Sequence, residues 1–148
     1  MKKVAISACL MGRECRYDAL CNRNDTLLKM LDGYELIEFC PEDSAFGTPR
    51  PTMDLVEDGD SIKAISNKTD QDLSFAIEGY AKKFFDTHSD IELFIGKDRS
   101  PSCGVCSACV YDTNRDLQRL DGTGLMAKEA QDRGIEAYDA EVYMEMSR

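Results

Sequence analysis

Three short apolar runs in this chain each lead to a cysteine in a turn-forming loop. Val4-Ala5-Ile6-Ser7-Ala8 runs into Cys9, Leu36-Ile37-Glu38-Phe39 into Cys40, and Ile91-Glu92-Leu93-Phe94-Ile95 toward Ser100-Pro101-Ser102-Cys103-Gly104. Apolar runs of this length, bounded by Gly, Ser and Pro, read as buried strands. If the three strands lie parallel in one sheet, their C-terminal loops share one edge, where open α/β sheets bind ligands. The pattern predicts a Rossmann-like α/β fold with a mostly parallel sheet and helices on both faces. It also predicts that three distant cysteines meet. A length of 148 residues suits one domain with one core, spanning 1–148.

The intervening stretches supply the helices. Asn24 or Asp25 caps a short helix through Leu31, ended by Gly33. Thr69 or Asp70 opens a longer helix that places Leu73, Ile77, Tyr80, Ala81 and Phe84 on one face. Gly124 to Arg133 reads as a helix, Ile135 to Tyr138 as the last strand, and Val142 to Met146 as a short terminal helix. Asp54 to Asn67 reads as a β excursion turning at Gly59, and Val110-Tyr111-Asp112 as a short strand. Residues 43–51 and 113–123 are polar or Pro-rich and are expected to be irregular.

The formal net charge is -10. Binding a nucleic-acid polymer needs clustered Lys and Arg, so the acidic balance argues against it and leaves small molecules as ligands. No apolar stretch is long enough to span a membrane. The N-terminal apolar run is too short for a signal-peptide core and no cleavage-type site follows it. The expected location is the cytoplasm. In that reducing compartment, seven cysteines point to metal binding or redox chemistry rather than stable disulfides.

Thiolates are the usual ligands of zinc and of iron–sulfur clusters. Cys103, Cys106 and Cys109 form Cys-x-x-Cys-x-x-Cys, which with one further ligand would make a non-catalytic zinc or iron–sulfur module. Cys106 and Cys109 alone would make a thiol redox pair. The strand ends instead favour Cys9, Cys40 and Cys103, leaving Cys15, Cys21, Cys106 and Cys109 without a role. Three ligands on a four-iron cluster leave one iron open, as a Lewis-acid or sulfur-abstracting site requires.

Glu42, two residues after Cys40, is a candidate proton donor or acceptor, or an acceptor that stabilises its own loop. Ser100 and Ser102 either orient a substrate or cap the turn around Pro101. Arg16, Tyr17 and Arg50 are candidate substrate-binding residues: Arg16 and Tyr17 follow Cys9 closely, and Arg50 stands between Pro49 and Pro51 in a stiff loop. His88, the one histidine, reads as a helix C-terminal cap or an exposed residue.

Taken in order, Ser7-Ala8-Cys9-Leu10-x-Gly12, Cys15-Arg16-Tyr17-Asp18, Cys40-Pro41-Glu42, Thr48-Pro49-Arg50-Pro51 and Ser100-Pro101-Ser102-Cys103-Gly104 resemble the motifs of the DUF523 family. Val110-Tyr111-Asp112 and Asp121-Gly122-Thr123-Gly124 resemble its downstream segments, so the similarity covers nearly the whole chain. That family includes thiouracil desulfurases, or desulfidases. The resemblance implies an oxygen-sensitive four-iron, four-sulfur (4Fe-4S) cluster held by Cys9, Cys40 and Cys103, with Glu42 as acid/base and Ser102 or Ser100 assisting at the substrate. It implies removal of sulfur from a thiolated pyrimidine or related small thio-compound, with water supplying the oxygen. The chain departs from the family pattern at Ser44-Ala45-Phe46-Gly47, Thr52 and Thr113, and Cys106 and Cys109 are additional.

Overall fold

The computed structural model describes residues 2–14, 23–48 and 50–146. In chain order they form β1 (Lys3–Ser7), α1 (Asp25–Met30), β2 (Glu35–Phe39), α2 (Pro41–Phe46), β3 (Met53–Asp58), β4 (Ser61–Ser66) and α3 (Ser74–Thr87). There follow β5 (Leu93–Gly96), β6 (Ala108–Tyr111), β7 (Leu117–Gly122), α4 (Leu125–Asp132), β8 (Glu136–Asp139) and α5 (Ala140–Met146). A 3-10 turn, Ala8–Met11, continues directly from β1.

The first sheet has the order β2-β1-β5-β8, and every neighbouring pair is parallel. Alternation along the strands explains why both faces are covered. Val4, Ile6, Leu93 and Ile95 point to one face and bury against Leu27 and Leu31 near α1 and Ala140 of α5. Ala5, Phe39 and Phe94 point to the other and bury against α3 and α4 through Ala81, Phe84, Phe85, Met126 and Ala130. Phe39 stacks on Phe94 with ring centroids 4.8 Å apart, and Phe84 meets Phe39 edge-on at 5.7 Å. Each such ring contributes about 1.5–3 kcal/mol by leaving water.

A second sheet has the order β4-β3-β6-β7. The β3–β4 hairpin is the excursion expected from Asp54 to Asn67, and β3 also pairs parallel with β6. Helices α3 and α4 serve both sheets, because Ile77 and Leu125 pack under the second sheet.

Three local differences from the sequence reading have physical causes. β7 lies where an irregular stretch was expected; it is an edge strand, exposed along most of its length, so no buried alternation marks it. α2 occupies part of the Pro-rich stretch: Pro41 sits in its first turn, where a missing N–H costs nothing, and Cys40 is its N-cap. α3 starts at Ser74 rather than at Thr69 or Asp70, because Asp70 takes a left-handed φ of 58° and the Ser74 N–H donates to Asp72 Oδ1 at 2.9 Å. His88 stands at the C-cap of α3. Among the described residues no helix is long and apolar enough to cross a membrane.

The loop that carries Cys103 folds back over the end of β5 and onto the start of α4. A Cβ placed on Gly96 would lie 1.8 Å from the Cys103 carbonyl oxygen, and one on Gly124 would lie 2.5 Å from the Ser102 carbonyl carbon. The first N–H groups of α4, which have no partner inside the helix, donate to this loop: Leu125 to Pro101 O at 3.2 Å and Met126 to Ser102 O at 2.8 Å. Both glycines are therefore required by close approach rather than by φ. Gly96→Ala should lower unfolding stability by about 3 kcal/mol through overpacking, read as a shift in the urea midpoint. Wild-type stability in that variant would contradict the packing described.

Candidate active site

The carboxyl ends of β1, β2 and β5 surround a cavity of about 460 Å³, lined by Cys9, Cys40, Cys103, Glu42, Ser102 and Arg50 among others. Parallel pairing puts them there. Cys9 leaves β1 in the 3-10 turn, Cys40 directly follows β2, and Cys103 returns over Gly96 from the loop after β5. The buried Ser7 hydroxyl accepts the Lys97 N–H at 2.9 Å and ties the ends of β1 and β5 together. Met53, at the start of β3, also lines the cavity, so the second sheet closes part of its wall.

Helix α2 delivers Glu42. Its Oε2 accepts the Ser102 hydroxyl proton at 2.6 Å, and its Oε1 lies 3.6 Å from Arg50 Nε. The Ser102 hydroxyl has one proton and gives it to Glu42. Its oxygen stands 3.2 Å from Ser100 Oγ and 3.4 Å from Cys103 Sγ. Ser100 Oγ accepts the N–H groups of Ser102 and Cys103 at 3.3 and 3.1 Å, so this side chain caps the turn.

Arg50 is the most constrained cation of the site. Its side chain is 5% exposed, and Nη1 donates to Gly47 O and Thr48 Oγ1 at 3.1 and 2.8 Å. Thr48 Oγ1 in turn donates to Asp43. Arg50 Nε is buried and has no hydrogen-bond partner. A buried N–H left unmatched costs on the order of 1–3 kcal/mol unless a ligand or water receives it.

Burial raises the Cys103 thiol well above its ordinary pKa, and Glu42, Cys40 and Cys9 push it further up. Burial also raises the Tyr80 phenol, whose oxygen accepts the Cys40 N–H at 3.3 Å. Asp98 lines the cavity as well. Burial lifts its carboxyl above the usual range, and the Glu141 N–H that it accepts at 3.1 Å partly offsets this.

Three thiols and a carboxylate that repel one another as anions fit a cationic occupant, which would stabilise the thiolates. Among the described residues no three His, Cys, Asp or Glu side chains form a site for one metal ion. A multi-iron cluster takes its thiolates on separate irons and so suits more widely spaced ligands.

The Cys-x-x-Cys-x-x-Cys run does not fold as one knuckle. Cys103 lines the cavity, Cys106 is exposed with its thiol 3.9 Å from Asp121 O, and Cys109 lies in β6. The chain passes from a turn into a strand there, which separates the three side chains. Arg16, Tyr17, Cys15 and Cys21 lie outside the described residues. In the sequence Tyr80 stands out only as part of the helix face, and nothing local marks it as a partner of the Cys40 backbone.

A family model for 2-thiouracil desulfurase matches residues 4–141. The chain belongs to the 2-thiouracil desulfurase family. The uncharacterised protein YbbK of Bacillus subtilis (strain 168) is 27% identical to it over 132 residues, covering 84% of this chain and 86% of that one. The solved structure of the 4Fe-4S-dependent thiouracil desulfidase TudS shares the fold, with a TM-score of 0.79 and 24% identity over 99% of this chain and 96% of that one.

The contrast between Cys103 and Cys106 can be measured on the metal-free desulfurase-family chain. Each pK unit on a thiol is a factor of ten in thiolate, so iodoacetamide at mildly alkaline pH should modify Cys103 roughly tenfold or more slowly than exposed Cys106. Equal rates by peptide mass mapping would contradict the buried setting of Cys103.

Proposed function

We propose that this chain is a 4Fe-4S-dependent desulfidase that removes sulfur from a thiolated pyrimidine base or a related small thio-compound. The observation that carries the reading is the meeting of Cys9, Cys40 and Cys103 on one cavity beside Glu42, in a chain of this family. Cys9, Cys40 and Cys103 hold the cluster. When bound, it supplies a Lewis-acid iron, without a protein ligand, for the substrate sulfur. A reducing cytoplasm suits the seven cysteines.

The chain's own groups account for binding and proton transfer. Arg50 Nε, buried at the cavity wall beside Glu42 and without a hydrogen-bond partner, donates to a polar atom of the base. Ser102 fixes Glu42 by its Oε2, which leaves Oε1 to take a proton from water. That water attacks the carbon bearing sulfur: the carbon–oxygen bond forms as Glu42 takes one proton, the carbon–sulfur bond breaks as the oxygen gives up its second proton and becomes the carbonyl, and both protons leave with the sulfur as hydrogen sulfide. Ser100 keeps the turn around Pro101 in shape, so that Ser102 stays aimed at Glu42.

Anaerobic reconstitution with iron and sulfide should load about four irons per chain, and the loaded protein should release sulfide from 2-thiouracil. Glu42→Gln should keep the iron and lose activity by roughly 100-fold or more, whereas Cys40→Ser should lose both. A wild-type chain that takes up no iron would overturn the function, and a fully loaded, fully active Cys40→Ser would overturn the ligand set.

A further inference from the structure

Asp139, the last residue of β8, is 2% exposed and lies next to Gly96 across the parallel ladder. Its carboxylate collects three donors from one short segment. Oδ1 accepts the Val105 N–H and the Ser107 hydroxyl, each at 2.8 Å, and Oδ2 accepts the Cys106 N–H at 2.8 Å. The Ser107 oxygen accepts in turn the Arg99 N–H at 2.8 Å. Arg99 has a left-handed φ of 66° and is where the chain turns out of β5 toward Cys103.

Both ends of the Cys103 arm are thus fastened to one buried carboxylate, the outgoing end through Ser107 and the returning end directly. Among the described residues no cation stands within ion-pair distance of Asp139, so its charge is balanced by these N–H and O–H donors alone. Hydrogen bonds to an ionised acceptor are about twice as strong as neutral ones, which makes this the firmest attachment of the arm.

We propose that Asp139 is the positioning residue of the site: it holds residues 99–107 closed so that Cys103 faces the cavity opposite Cys9 and Cys40. The proposal rests on the reading of Cys103 as a cluster ligand. Outer partners of this kind matter because a ligand must be in place before the metal arrives, and their loss typically costs 10- to 100-fold in retention. The strand register places Asp139 beside the site, although it lies 34 residues from Val105 in the chain.

Asp139→Asn tests this, because it preserves shape while turning one acceptor into an N–H donor that faces another. In the metal-free chain, amides of residues 103–107 should exchange hydrogen at least about 10-fold faster and Cys103 should alkylate faster, while β1 and β2 keep their protection. In the loaded protein, iron should pass to a chelator at least about 10-fold faster. Ile77→Val, which loosens the core under the second sheet without touching the arm, is the control for general destabilisation and should move neither readout. Should Asp139→Asn fail to fold, Ser107→Ala removes one of the three donors and should give a smaller shift in the same direction.

Unchanged exchange and alkylation over residues 103–107, or equal changes in Ile77→Val, would overturn the proposal. If the wild-type chain binds no iron, the functional reading fails, and the metal-free measurements still decide the role of Asp139.

Discussion

The parallel pairing of β1 with β2 on one side and β5 on the other is the constraint on which the rest of the site depends. Parallel strands share one carboxyl edge, so residues far apart in the chain meet there without any local motif. The register is set by burial on both faces. A slip of one residue along β1 would send Val4 and Ile6 toward α3 and α4, and Ala5 toward α1. Large side chains fill one face of β1 and a small one the other, so such a slip would overfill one core and leave a void in the other. Packing chosen for stability thereby fixes where the cysteines stand.

At that edge the chain gathers polar groups that are only partly matched. Thiols and a carboxylate share the cavity, and the buried arginine beside them leaves one N–H unmatched. Elsewhere polar groups are well paired, as in the run from Arg13 to Glu38 and Asp43. Among the described residues, the buried side-chain polar atom that lacks a hydrogen-bond partner lies at the cavity, as expected where a protein gives up local stability for a ligand. The supports around it are hydrogen-bonded: Ser7 joins two strand ends, Tyr80 braces the Cys40 backbone, and the first turn of α4 receives the Cys103 loop.

Much of this was legible in the sequence because strand ends are marked by simple signals. Apolar runs closing on Cys9, Cys40 and Ser100-Pro101-Ser102-Cys103 locate the edge, and the spacing of Ile77, Ala81 and Phe84 locates the covering helix. Glu42 was legible through its nearness to Cys40. Less visible were elements without a buried face, such as β7, and contacts made across the fold. Arg50 could be picked out between two prolines, but its burial depends on α2 folding where irregular chain was expected. Asp139 and Tyr80 act on backbone groups of distant loops, and a backbone partner leaves no trace in residue identity.

The long-range closure of the first sheet also bears on the order in which the protein comes into being. Cys9 and Cys40 are synthesised early, but the Ser7–Lys97 hydrogen bond that joins their part of the edge to β5 spans 90 residues. The Cys103 arm is complete only when α4 and β8, near the end of the chain, have folded against it. Contacts this distant in sequence form late, after the cost of closing long loops has been met. The site therefore does not exist until β8 has been made and has packed against β5. The two early cysteines wait, without their third companion, for the last strand of the sheet.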